Sequence, residues 1–138
     1  MMTTAREKKL TREMLSWTDS VWHTEGVPKR LRELSHSIHK DIREMERVGV
    51  GFKRFPAPTV GGPRSKAERS TFAQERIAQK TDRFAKLVKK SPKYSSVEFK
   101  CLGDYEKCKQ HRGEYDIHCR FVYFICMARK IIPFVRQK

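Results

Sequence analysis

Residues 101–126 read CLGDYEKCKQHRGEYDIHCRFVYFIC, and they hold all four cysteines of the chain, Cys101, Cys108, Cys119 and Cys126. Within each pair the cysteines are seven residues apart, two turns of an α-helix, so both sulfurs lie on one face. The two units echo one another: CLGDYEKC and CRFVYFIC both read Cys-x3-Tyr-x2-Cys, with Tyr105 and Tyr123 at the matching place. In an antiparallel hairpin, facing residues have a constant summed position. Here 101 + 126 and 108 + 119 both give 227, which centres the turn between Gly113 and Glu114. Four cysteines allow three connectivities. Only the nested one, Cys101–Cys126 with Cys108–Cys119, suits such a hairpin, provided close helix approach brings each Cα pair below about 7 Å. Other readings stand beside it: four reduced cysteines packed in a core, a catalytic thiol, or zinc held by Cys108, His111, His118 and Cys119. A Cys-x6-Cys interval is not a usual zinc spacing, and no Cys-x2-Cys redox pair is present.

Outward from this hairpin, the chain has room for one modest domain. It has 138 residues and a formal charge of +15, from 31 Lys+Arg against 16 Asp+Glu. Leu, Ile, Val and Phe together make 30 of the 138, just above the level at which a highly charged chain stays disordered. A thin core is therefore expected, one that gains from staples or a partner. The longest apolar run, Phe121 to Ala128, has eight residues, far short of the ~20 needed to span a bilayer. The first fifteen residues lack a continuous apolar stretch, so a secretory leader is not expected there.

The N-terminal third reads as a helical hairpin over 1–48. Leu10, Met14, Trp17 and Val21 form one apolar stripe, and Leu31, Leu34, Ile38, Ile42, Met45 and Val48 form another. Gly26 and Pro28 separate them. Residues 49–64, GVGFKRFPAPTVGGPR, carry three prolines and four glycines and read as an extended basic linker. A basic helix is expected over 65–92, opened by the capping box Ser65-x2-Glu68 and carrying Ala73, Ile77, Phe84 and Val88 on its buried face. The stapled hairpin then fills 93–138, with Ser95-x2-Glu98 as a second capping box. The expected fold class is all-α.

The excess charge has a location. Residues 51–92 hold 11 basic and 3 acidic groups, more than half of the whole surplus. Phe52, Lys53, Arg54, Phe55, Arg64, Lys66, Arg69 and Arg76 are accordingly the candidate partner-binding residues, facing an acidic protein surface, anionic lipid headgroups or nucleic acid. No phosphate loop or nucleophile elbow is present in the sequence. His36 and His39 lie three apart on a helix, but no third metal ligand is suggested. Neither a cofactor nor a resident metal is expected, and no catalytic residue is assigned.

The cysteine-bounded segment over residues 95–131 resembles the twin-cysteine hairpins of the coiled-coil-helix–coiled-coil-helix superfamily of mitochondrial intermembrane-space proteins. Its intervals of six residues are shorter than is usual there. The stretch CKQHRGEYDIHCR, Cys108 to Arg120, also resembles the turn of the PDSW family of complex I accessory subunits. The resemblance implies import without a cleaved leader, oxidation in the intermembrane space and a structural place in a large assembly. The function expected is thus a non-catalytic accessory subunit of a respiratory complex. The alternatives are a nucleic-acid-contacting protein, such as a mitochondrial ribosomal subunit, and a small basic nuclease or toxin using His111 or His118.

Intact-mass measurement without reductant should find the chain lighter by four hydrogens than after reduction, one pair for each bridge among its four cysteines. Four alkylatable thiols in the unreduced chain would refute the stapled hairpin.

Overall fold

The computed structural model describes residues 5–48, 66–112 and 117–136, and its five elements are all helical: α1 Ala5–His23, α2 Lys29–Val48, α3 Lys66–Lys90, α4 Ser95–Arg112 and α5 Ile117–Arg136. The expected turn at Gly113 and the linker over 49–64 lie outside these residues.

Local chemistry sets the corners. After α1, Thr24 turns its hydroxyl back to the Ser20 carbonyl (2.6 Å) and its N–H to Val21 (3.3 Å), satisfying carbonyls the helix end would orphan. Val27 is buried beneath this turn, and the Pro28 carbonyl accepts the Arg32 N–H at 3.1 Å to open α2. Between α3 and α4 the Ser91 carbonyl accepts both the Tyr94 and Ser95 N–H groups, at 3.1 and 2.9 Å, and Tyr94 is buried under the corner. The expected Ser95 capping box does not form. The Tyr94 carbonyl receives Glu98 N–H at 3.4 Å, and the Glu98 carboxylate points into the protein, where it accepts from the Tyr123 hydroxyl.

The stripes expected on α2 and α3 are buried apart from Leu34, which is only partly so, and Val48, whose side chain lies outside the described residues. Ile38, Ile42, Ala73, Ile77, Phe84 and Val88 are fully buried, and Leu31 and Met45 nearly so. Helix α1 departs from its pattern. Trp17 is only partly buried, whereas Thr11 and Thr18 enter the core and direct their hydroxyls to the carbonyls of Glu7 and Met14. A threonine can do this because the preceding turn supplies an acceptor four residues back, which removes the cost of burying its hydroxyl.

The helices pack as a closed ring of four with a fifth laid on its outside. Helix α1 touches α2 and α5, α2 touches α3, and α3 touches α5, while α4 covers α3 and α5. Among the described residues α1 does not meet α3 or α4, and α2 does not meet α4 or α5. Helix α5 is therefore surrounded on three sides. Ile117, Cys119, Phe121, Phe124, Met127, Ala128 and Ile131 are all fully buried, spread round the helix rather than along one stripe. Phe124 meets Phe84 of α3 with ring centroids 4.7 Å apart, and both side chains are fully buried.

Gly103 stands exposed in the middle of α4, where a Cβ would meet nothing within 4 Å. Gly103→Ala should therefore stabilise the fold by about 0.5–1 kcal/mol through lower chain entropy in the unfolded state. A melting temperature raised by about 2–4 °C is the expected reading; a fall would show that the position needs glycine.

Candidate functional site

The stapled α4–α5 hairpin is the best-defined constellation in the molecule. Cys101–Cys126 and Cys108–Cys119 are both bonded, with Cα–Cα separations of 5.8 and 5.5 Å. No cysteine is free. With Cys108 and Cys119 joined to each other, neither sulfur is available to a zinc ion or to thiol chemistry. The two bridges close intervals of 25 and 11 residues. Loop-closure entropy assigns roughly 3 kcal/mol to the first bridge formed. The second contributes less, because the loops are nested and the first already shortens what remains.

Between the bridges, Tyr105 of α4 and Tyr123 of α5 stack with ring centroids 4.2 Å apart and planes inclined by 9°. Both rings are buried. The Tyr123 hydroxyl donates to Glu98 Oε1 at 2.6 Å, and Glu98 itself is only 6% exposed. Burial first, and then this hydrogen bond to a carboxylate, push the Tyr123 phenol well above its ordinary range, so it stays a neutral donor. Cations complete the layer. Lys109 Nζ lies 4.7 Å from the Tyr105 ring centroid, and Arg120 Cζ lies 5.9 Å from it. Arg120 also reaches Asp82 of α3 at 3.4 Å. One layer thus joins α3, α4 and α5.

Two further polar ties hold the other helices. Asp41 of α2, with only 12% of its side chain exposed, accepts from Arg76 (3.2 Å) and Lys80 (2.5 Å) of α3. Between α1 and α2, His39 Nε2 accepts from Arg43 Nε at 3.2 Å. Its Nδ1 proton therefore points to the Thr18 hydroxyl, 2.8 Å away, and Thr18 passes its own proton to the Met14 carbonyl. Burial, and next the Arg43 guanidinium, hold the His39 pKa below the usual histidine value against the opposing charge of Asp19. His36 is stacked on Trp22 at 4.3 Å, so the two histidines serve different contacts. Among the described residues no group of His, Cys, Asp and Glu side chains is placed to hold a metal ion.

A cleft of about 550 Å³ opens over α5, between α1 and α4. Leu10, Val122, Ile125 and Cys126 line it together with Glu13, Asp104, Arg129 and Lys130.

Of the residues expected to bind a partner, only Arg76 has a described side chain. Phe52, Lys53, Arg54, Phe55 and Arg64 lie outside the described residues, as do the side chains of Lys66 and Arg69. Arg76 is committed to Asp41, with 43% of its side chain exposed. His111, in the last turn of α4, is exposed, and His118 opens α5 half-buried. Sequence reasoning overlooked Asp41 and Glu98 as internal ties. Asp41 follows the Ile38 position of the buried α2 stripe by three residues, but its partners lie on another helix. Compared with protein-family models, curated proteins and solved structures, the chain matches none.

Tyr123→Phe leaves a buried carboxylate without its donor and is expected to cost about 1–3 kcal/mol in urea unfolding. Adding Glu98→Leu should recover most of that loss, because both polar partners are then gone. Strictly additive losses would show that the hydroxyl–carboxylate contact carries no coupling.

Proposed function

We propose that this chain is a non-catalytic structural subunit that docks into a larger assembly. A mitochondrial respiratory complex such as complex I, on the intermembrane-space side of the inner membrane, is the leading candidate. The observation that carries the reading is where the reactive side chains are spent. The four cysteines, Glu98, Tyr123, Asp41 and His39 all tie one helix to another, and each is in contact with a partner on the neighbouring helix. Chemistry-bearing groups used in this way make a rigid element for presentation. Disulfides of this kind persist in oxidising compartments, which agrees with the proposed location. The surface supplies the means of attachment, with a charge of +15 seeking acidic surroundings.

The same charge favours a second reading, contact with nucleic acid, as in a mitochondrial ribosomal subunit. The two separate in one purification. A tagged chain expressed in its own cells and extracted without denaturant should elute with defined protein partners, far above its own 16.3 kDa. Recovery as a lone monomer would overturn the subunit reading. Co-elution that nuclease treatment abolishes would transfer the case to the second.

A further inference from the structure

The corner between α3 and α4 combines two features that neither the helix ties nor the subunit reading uses. From Lys86 to Lys100 the chain carries five lysines, at 86, 89, 90, 93 and 100, and a single acid, Glu98. All five lysines are exposed, while Glu98 is buried and engaged by Tyr123. Lys86, Lys89, Lys90 and Lys100 form no ion pair among the described residues. The same stretch carries Phe99, next to Lys100 and 76% exposed, the one large apolar side chain so placed among the described residues. A single exposed phenylalanine requires no explanation. One carried on a stretch whose exposed charges are all lysines, beside a corner whose backbone is fixed by the Ser91 carbonyl and the buried Tyr94, does.

We propose that this corner is a docking site for an anionic membrane surface, with the lysines facing phospholipid headgroups and Phe99 entering the interface. The charge is complementary, and the chemistry separates this partner from the others. Protein interfaces enrich arginine and deplete lysine, yet here every cation is lysine. Nucleic-acid surfaces stack successive bases on several aromatic rings and read them through Arg, Asn or Gln, and this corner offers one ring and none of those side chains. A diffuse field of strongly hydrated ammonium groups needs no fixed geometry, which suits a fluid array of headgroups. Stable attachment to a bilayer surface takes two signals, and a polybasic cluster with an apolar anchor supplies both. No helix of the described residues is long and apolar enough to cross the membrane, so contact here would be with its surface.

Co-sedimentation of the oxidised chain with vesicles tests this, using phosphatidylcholine alone or mixed with phosphatidylserine. Binding is expected on the anionic vesicles only, and should fall steeply as salt rises from about 0.05 M to about 0.5 M. Lys86→Glu combined with Lys89→Glu and Lys90→Glu should weaken it by roughly two orders of magnitude. Phe99→Ser should weaken it by about tenfold and flatten the approach to saturation less. These positions are all exposed, so the helical circular dichroism and melting temperature should stay as in the parent chain. Equal binding to neutral vesicles would overturn the proposal. So would no binding at low salt, unchanged binding by both variants, or displacement from the vesicles by an RNA oligonucleotide at lower concentration than by free anionic lipid. The outcome does not depend on recovering an assembly, and the two proposals can fail separately.

Discussion

Helix α5 must be buried on three sides at once, and the arrangement of the other helices follows from that. Its apolar residues run from Ile117 through Phe121, Phe124 and Met127 to Ile131, and no single face accommodates them. One neighbouring helix would leave most of this surface in water, at about 25 cal/mol for each Å². The chain meets the demand with α1 on one side, α3 on another and α4 on a third. Closing the ring through α2 then gives α1 and α3 a shared support, fixed by the Asp41 ion pairs and the Thr18–His39 contact.

The polar groups inside explain why this packing is specific. Apolar burial is indifferent to register, and a bundle of leucine stripes slides easily. A buried carboxylate does not. Moving α2 by one turn against α3 would strand Asp41 away from Arg76 and Lys80, and moving α4 against α5 would strand Glu98 away from Tyr123. Each displacement leaves a desolvated charge, which costs far more than the mean value of the contact it loses. The net stabilisation from each tie is modest, and its main effect is to penalise the alternatives.

Much of this was legible from residue order alone, and the parts that were not share a cause. The hairpin could be read because disulfide pairing and helix periodicity both depend on sequence interval, and the two cysteine sums agree at 227. The α2 and α3 stripes could be read for the same reason. What escaped were contacts between elements far apart in the chain. Asp41 meets residues 35 and 39 positions away, and Glu98 meets one 25 away, so no local pattern announces either. Glu98 was also assigned a cap that its spacing from Ser95 suggests, because a local rule cannot weigh a tyrosine hydroxyl arriving from another helix. The exposed surface was the least legible. Charge counting pointed to residues 51–92, where Arg76 turns out to be held by Asp41, while the lysines around Phe99 straddle the end of that window.

The same contrast explains why the bridges sit where they do. On α4 the fully buried positions are Glu98, Cys101 and Tyr105, and its aliphatic side chains Val97 and Leu102, like Cys108, pack against the core only partly buried. The outward face carries Phe99 in solvent and Gly103, the residue with least helix propensity after proline. Among the described residues α4 has the fewest fully buried apolar side chains of the five helices, and it is the one outside the closed ring. Hydrophobic contact alone would hold it poorly. Two covalent links and a stacked tyrosine pair reinforce this thin apolar seam, so that attachment of α4 depends on oxidation far more than the ring of four does. Reduction should therefore loosen α4, and the corner it shares with α3, before it disturbs the buried Phe84–Phe124 contact between α3 and α5.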